Sequence, residues 1–170
     1  MARMRVNGQA LEFLADPATP LLWALRDGGN LTGTKQGCGG TGQCGACTVI
    51  VDGSAVLSCT VAIGSLEGAD VTTVEGLAGH PLTLALVTED AIQCGFCLPG
   101  FTCAAVALLQ QSARPAAEQL DALPNRCACG MQSRLRRAIE RAAGAMTASA
   151  QPPQAAAGPL QNSEIVTPPR

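Results

Sequence analysis

The chain has 170 residues, enough for one ordinary domain or two small ones, and a formal net charge of −2. With three Phe, one Trp and no Tyr, it has neither the basic surface nor the stacking platform of a nucleic-acid-binding protein. The longest apolar run, near 103–109, is far too short to span a bilayer, so no transmembrane segment is expected. Nine cysteines without a secretory hydrophobic segment before them are better interpreted as metal ligands than as a disulfide framework.

The first half of the chain predicts short strands around one helix. Asn7-Gly8 and Asp52-Gly53 are strong signals for two β-hairpins. Thr19-Pro20 predicts an N-cap followed by proline at the first helical position, and Asp27-Gly28-Gly29 is expected to end that helix. Further strands are predicted at Thr48–Val51, 55–60 and 71–74. The pattern is typical of a small α+β domain that ends near Gly76.

From His80 onward the pattern becomes helical. Three helices are predicted to begin near Pro81, Pro99 and Pro115, and a fourth carries apolar residues from Met131 onward at spacings of three and four. Gly144 is expected to close the fourth helix. His80 itself is interpreted as a capping or surface residue. The arginines of the last helix either dock a partner or form a solvated face. Four helices with short loops predict a compact bundle.

Glycines surround the first set of cysteines. Cys38, Cys44, Cys47 and Cys59 form the run Cys-x5-Cys-x2-Cys-x11-Cys. Glycine permits positive φ, so such a loop can turn its thiolates and N–H groups inward, as an iron–sulfur cluster requires. The plant-type ferredoxin run has a first gap of four residues, one fewer than here. The pattern predicts a [2Fe–2S] site, and a sole histidine excludes a Rieske-type site.

A second set of cysteines lies among the predicted helices. It comprises Cys94, Cys97, Cys127 and Cys129, which all fall near helix ends, where backbone N–H groups are free to face a negatively charged cluster. Four thiolates could hold a second [2Fe–2S] cluster. They could also hold a structural zinc ion, although a Cys-x-Cys pair is unusual for zinc. The ninth cysteine, Cys103, is interpreted as a small buried hydrophobic residue.

Four segments together resemble the small iron–sulfur subunit of molybdenum hydroxylases, a family that includes xanthine dehydrogenases, aldehyde oxidoreductases and isoquinoline oxidoreductases. The segments are LTGTKQGC (31–38), QCGACTV (43–49), QCGFCLPG (93–100) and NRCAC (125–129). The resemblance implies a β-grasp ferredoxin-like domain over 1–76 and a four-helix domain over 80–145, each with one [2Fe–2S] cluster. The longer gap between Cys38 and Cys44 departs from the family, and its glycines could absorb the extra residue as a bulge.

The resemblance also implies a function. The chain would be the electron-transfer subunit of a molybdopterin-dependent oxidoreductase and would not be catalytic alone. A large partner subunit would hold the molybdopterin cofactor and oxidise an aldehyde or an N-heterocycle. Electrons would pass through the helical-domain cluster and then the β-grasp cluster to a flavoprotein, cytochrome or quinone. In the family, the residues that match Gln93 and Cys129 hydrogen-bond the pterin.

Two other functions stay open from the residues alone: a stand-alone ferredoxin-type electron carrier and a zinc-stabilised interaction protein. Assembly is expected in the cytoplasm, with export beside a signal-bearing partner left open. The tail at 146–170 differs from the rest of the chain, because residues 151–170 hold five of the eleven prolines. Such a segment is predicted to be disordered alone and to become ordered by lying across a partner.

Overall fold

The computed structural model describes residues 1–150, and their side chains up to residue 148. Of the predicted partner-binding tail at 146–170, residues 151–170 therefore lie outside the described residues, whereas residues 146–150 form the end of a helix. Within them, the first half of the chain forms a mixed β-sheet and the second half forms helices, which confirms the predicted α+β class.

Five strands form one sheet. They are β1 (Ala2–Val6), β2 (Gln9–Phe13), β3 (Thr48–Val51), β4 (Ser54–Leu57) and β5 (Asp70–Thr72), arranged in the order β2–β1–β5–β3–β4. Asn7 and Gly8 have φ values of 51° and 80°, and Asp52 and Gly53 have values of 47° and 79°. Both predicted hairpins therefore turn on two left-handed residues, as Asn-Gly and Asp-Gly favour. The central strand β5 runs parallel to β1 and antiparallel to β3.

One short helix covers the sheet. The helix α1 (Leu21–Trp23) continues as a π-helical turn over Ala24–Gly28, and Leu21, Leu22 and Leu25 are fully buried. The prediction that Thr19 is the N-cap was wrong, because Pro20 occupies the cap position and no side chain caps the helix. The Thr19 carbonyl instead accepts a hydrogen bond of 2.9 Å from the Ile63 N–H.

The four predicted helices are present in the second half. They are α2 (Pro81–Thr88), α3 (Leu98–Gln111), α4 (Ala117–Asp121) and α5 (Gln132–Ala150). His80 caps α2, since its Nδ1 accepts a hydrogen bond of 3.1 Å from the Leu82 N–H, and the capping interpretation is confirmed. The prediction that Gly144 ends α5 was wrong. A mid-helix glycine costs only about 1 kcal/mol, and the alanine-rich sequence around it favours the helix.

Helix α3 joins the two halves of the chain. It contacts β3 and β4 on one side and α2 and α5 on the other. Nine of its fourteen residues are buried in consequence, and Ile50 of β3 belongs to the same apolar core as the helices. The cysteine loops at the start of α3 and before β3 are thus held against each other by a shared core.

The arginines of α5 pair within the chain. Arg134 binds Asp90, Arg136 binds Asp121, and Arg137 and Arg141 both bind Glu89. These pairs fix α5 to α4 and to the end of α2. None of the helices in residues 1–150 is long and apolar enough to cross a membrane.

Candidate metal centres

The first set of cysteines lies in the loop before β3 and in the turn after β4. The glycines Gly39, Gly40 and Gly42, which fill most of the longer first gap, have φ values of 71°, 92° and 74°. These left-handed residues turn the loop back on itself, so that the Cys44 thiol still lies near enough to Cys38 to lower its pKa. The glycines therefore accommodate the extra residue.

The thiols of this set meet in two pairs. Cys47 Sγ lies 3.2 Å from Cys59 Sγ, and Cys38 pairs with Cys44. The prediction that Cys59 lies on a strand was wrong, because β4 ends at Leu57 and Cys59 falls in the following turn. Ser58 Oγ donates a hydrogen bond of 2.7 Å to the Cys47 carbonyl and holds this turn in place.

Two thiols of the first set have strongly different environments. A hydrogen bond from Thr41, with further ones from the N–H groups of Cys44 and Gln43, lowers the pKa of Cys38 to about 6. Burial raises the pKa of Cys47 to about 11. A thiol like Cys47 deprotonates readily only when a metal cation replaces its proton, so metal binding and proton release are coupled there.

The second set of cysteines also forms two pairs. The thiols of Cys94 and Cys129 lie close enough to shift each other's pKa, and so do those of Cys97 and Cys127. Cys97 stands at the N-cap position of α3, and the turn after Cys127 closes with a hydrogen bond from the Gly130 N–H to the Cys127 carbonyl. The N–H of Phe96 lowers the pKa of Cys94, whereas burial raises that of Cys97 to about 12.

The arrangement of these thiols fits a two-iron cluster in each set. A [2Fe–2S] cluster takes four cysteine ligands, two on each iron, and backbone N–H groups stabilise its sulfurs. Each set supplies two pairs of thiols, on loops whose N–H groups point at cysteine sulfurs. Across residues 1–150, no three His, Cys, Asp or Glu side chains form a ligand group for a single metal ion.

Three contacts join the loops of the two sets. The Arg126 N–H, next to Cys127, donates a hydrogen bond of 3.2 Å to the carbonyl of Cys44. Asn125 Nδ2 donates one of 2.6 Å to the carbonyl of Gly45. Phe96 packs against Gly37, where a Cβ on Gly37 would lie 3.3 Å from the Phe96 ring. Sequence reasoning missed these contacts, although Asn125 belongs to the NRCAC motif.

The remaining predicted residues have simple positions. Cys103 is 1% exposed within α3, which confirms its interpretation as a buried hydrophobic residue, and burial raises its pKa to about 12. Gln93 is exposed and directly precedes Cys94, the one exposed cysteine among the described residues. Its contact with a pterin stays a prediction.

Both halves of the chain match known domain families. Residues 4–78 match the 2Fe-2S iron-sulfur cluster binding domain, and residues 73–140 match the [2Fe-2S] binding domain. The chain is 44% identical to a nicotinate dehydrogenase subunit of Pseudomonas putida, over 82% of this chain and 92% of that protein. It is 41% identical to the alpha subunit of isoquinoline 1-oxidoreductase of Brevundimonas diminuta, over 84% and 97% of the two chains.

Solved structures agree with these relationships. The aldehyde oxidoreductase from Desulfovibrio desulfuricans superposes with a TM-score of 0.81 at 38% identity, over 86% of this chain but 17% of that one. The quinoline 2-oxidoreductase from Pseudomonas putida 86 superposes with a TM-score of 0.79 at 32% identity, over 86% and 95%. The predicted order, a ferredoxin-like domain and then a helical [2Fe–2S] domain, is confirmed. The chain therefore belongs to the family of small iron–sulfur subunits of molybdenum hydroxylases, which are electron-transfer subunits.

Proposed function

We propose that this subunit carries two [2Fe–2S] clusters and passes electrons from a large molybdopterin-binding subunit to an external acceptor. The reaction served would be the oxidation of an aldehyde or an N-heterocycle, and the acceptor a flavoprotein, a cytochrome or a quinone. The observation that carries the proposal is the presence of two sets of four thiols, each set arranged as two pairs. The names of the relatives support the substrate class, since they include nicotinate dehydrogenase and isoquinoline 1-oxidoreductase.

Each domain would hold one cluster. The domain at 1–76 would use one set of ligands and the domain at 80–145 the other: Cys38, Cys44, Cys47 and Cys59, and Cys94, Cys97, Cys127 and Cys129. When bound, such clusters supply one-electron transfer without proton or group transfer. The chain itself supplies thiolates, N–H donors and a loop contact that joins the two sites.

The partner subunit would bind on the side of Cys94. Exposed Gln93 offers both a donor and an acceptor to the edge of a pterin, as the corresponding residue does in the family, and Cys129 would contact the same cofactor. Ile92 and Phe96 are 46% and 47% exposed beside it. Bulky apolar side chains around a polar group are typical of the centre of a protein interface. Electrons would enter the subunit here.

The proposal is tested by the metal content and spectrum of the purified full chain. We expect a red-brown protein with iron and inorganic sulfide in equal amounts, and two distinct EPR signals after reduction with dithionite. A colourless protein with bound zinc would contradict the proposal. A single EPR signal would show that the chain holds one cluster instead of two and would favour a stand-alone ferredoxin.

A further inference from the structure

The side chain of Asn125 links the loops that carry the two cysteine sets. It lies in the loop before α5, two residues ahead of Cys127, and its Nδ2 donates a hydrogen bond of 2.6 Å to the carbonyl of Gly45. Gly45 lies between Cys44 and Cys47 in the other loop, 80 residues away in the sequence. A single amide thus connects ligand-bearing loops of both domains.

The carbonyl of Gly45 is held from several sides. Thr48 donates to it twice, from its N–H at 3.1 Å and from its Oγ1 at 2.7 Å. Helix α3 packs against the same oxygen so closely that a Cβ on Gly100 would lie 2.2 Å from it. Gly45 itself has a φ of +72°, and a Cβ there would lie 2.8 Å from the Asn125 Cα. The position of this oxygen therefore depends on how closely the Asn125 loop and α3 approach the Gly45 loop.

The other end of the Asn125 amide has no partner in the described part of the chain. Its Oδ1 is buried without a hydrogen bond. A buried polar atom without a partner lowers stability, and an apolar side chain at this position would avoid that loss. Stability alone therefore does not account for an asparagine here, whereas a need for its Nδ2 donor does.

We infer that Asn125 is a positioning residue that sets the spacing of the two clusters. Its amide holds the Gly45 carbonyl and so keeps the neighbouring contact short, in which the Arg126 N–H meets the Cys44 carbonyl at 3.2 Å. Clusters held by the two sets would exchange one electron, with no bond formed or broken. Because electron transfer slows steeply with distance, this contact controls its rate. The inference rests on the proposed function, since both sets must hold clusters.

Two substitutions test the role of the amide. Asn125→Asp keeps the shape but replaces the donor with an oxygen that repels the Gly45 carbonyl, and Asn125→Ala removes the side chain. Asn7→Asp is the matched control, since Asn7 Nδ2 also joins distant segments, by a 2.9 Å hydrogen bond to Thr73 Oγ1, but lies in the β1–β2 turn. The readout is the magnetic splitting between the two reduced clusters in the EPR spectrum of the full chain, which varies with the inverse cube of their separation.

We expect both Asn125 variants to keep wild-type iron and sulfide contents and to lose or shift the splitting, while Asn7→Asp keeps it. Unchanged splitting in both Asn125 variants would overturn this inference and would leave the proposed function standing. Loss of a cluster from both variants would also overturn it, because Asn125 would then be needed to assemble a site rather than to space two sites. A wild-type chain without two clusters would overturn the proposed function first, and the iron and sulfide assay detects that outcome before any variant is made.

Discussion

At the scale of single residues, the environment of each cysteine distinguishes the predicted metal ligands from the cysteine of the apolar core. Cys103 lies on a buried helix, and burial raises its pKa to about 12, so its thiol stays protonated. Cys47 is buried too and Cys97 is half-buried, but each lies beside a second cysteine. We predict that Cys47→Ala and Cys97→Ala each remove one of two EPR signals, a different one in each variant, whereas Cys103→Ala keeps both.

The measurement for these variants is EPR of the dithionite-reduced protein together with its iron content. The assignment of ligands would be wrong if Cys103→Ala lost a signal. The division into two sets would be wrong if Cys47→Ala and Cys97→Ala lost the same one.

At position 45, glycine is required both by the positive φ of the backbone and by the lack of space for a Cβ. At position 53, only the positive φ requires it. Both residues have positive φ, +72° for Gly45 and +79° for Gly53, and a side chain in that region costs about 1–2 kcal/mol. A Cβ on Gly53 meets open space, whereas one on Gly45 meets the Asn125 backbone at 2.8 Å. We predict that Gly53→Ala costs about 1–2 kcal/mol and that Gly45→Ala costs more.

Urea unfolding of the holoprotein, followed by the loss of visible absorption, measures this difference between the two glycines. Equal midpoints for Gly45→Ala and Gly53→Ala would show that the Asn125 loop moves away freely. That result would also weaken the case that this contact spaces the clusters.

At the scale of elements, Glu89 fastens α5 to the end of α2. Its side chain is 13% exposed and accepts hydrogen bonds from Arg137 at 3.0 Å and from Arg141 at 2.6 Å. These guanidinium groups, Arg141 foremost, hold the pKa of Glu89 below its ordinary value. The stabilisation is therefore fully present above the unfolded pKa of about 4.3 and is lost as the pH falls through the lower folded value.

We predict that Glu89→Gln lowers the melting temperature at neutral pH, because one neutral amide cannot satisfy two arginines. Glu140→Gln is the control, since Glu140 is exposed on α5 and makes no ion pair within residues 1–150. Scanning calorimetry of both variants checks the prediction. Equal melting temperatures for Glu89→Gln and Glu140→Gln would contradict the prediction. They would show that the Glu89 ion pairs contribute as little to stability as exposed ion pairs do.

Elements that depend on local chemistry could be predicted from the sequence, and elements that depend on distant contacts could not. Both hairpins follow from the Asn-Gly and Asp-Gly pairs themselves. The π-helical turn Ala24–Gly28 has no local signal, and the start of α1 is set by a hydrogen bond from Ile63 to Thr19. Gly144 stays helical because its neighbours, which favour the helix, outweigh one weak position.

In the candidate sites too, the features that depend on local sequence could be predicted and those that depend on distant contacts could not. The two sets of cysteines could be predicted because their members fall in closely spaced groups along the sequence. The contact between the sets was not visible, because Asn125 and Gly45 are 80 residues apart and meet only when α3 packs against β3. Sequence motifs therefore predict which thiols would serve as ligands, and tertiary packing decides how the cysteine loops face each other.

At the scale of the whole molecule, the exposed side of the helical domain is where the large subunit would bind. Gln93 and Gln43 are both exposed and each directly precedes a predicted ligand, Cys94 and Cys44. Only Gln93 is predicted to contact the pterin. We predict that Gln93→Leu slows reduction of the helical-domain cluster by substrate in the assembled complex, whereas the matched variant Gln43→Leu does not.

Rapid-freeze EPR of the complex follows this reduction, and both variants should keep wild-type iron content. Equal rates in Gln93→Leu and the wild type would remove Gln93 from the electron path. Equal slowing in the two glutamine variants would point instead to a general effect on the clusters.

The chain alone is predicted to transfer electrons without oxidising a substrate. Its glycine-rich loop is occupied by cysteines and does not form a nucleotide or flavin fingerprint. It also corresponds to only 17% of the aldehyde oxidoreductase chain that it matches. Purified chain mixed with an aldehyde or nicotinate and an artificial acceptor should therefore show no turnover. The same protein, reduced with dithionite and freed of excess reductant, should reduce that acceptor. Substrate-dependent turnover by the isolated chain would contradict its role in electron transfer alone, since the oxidation would then need no partner.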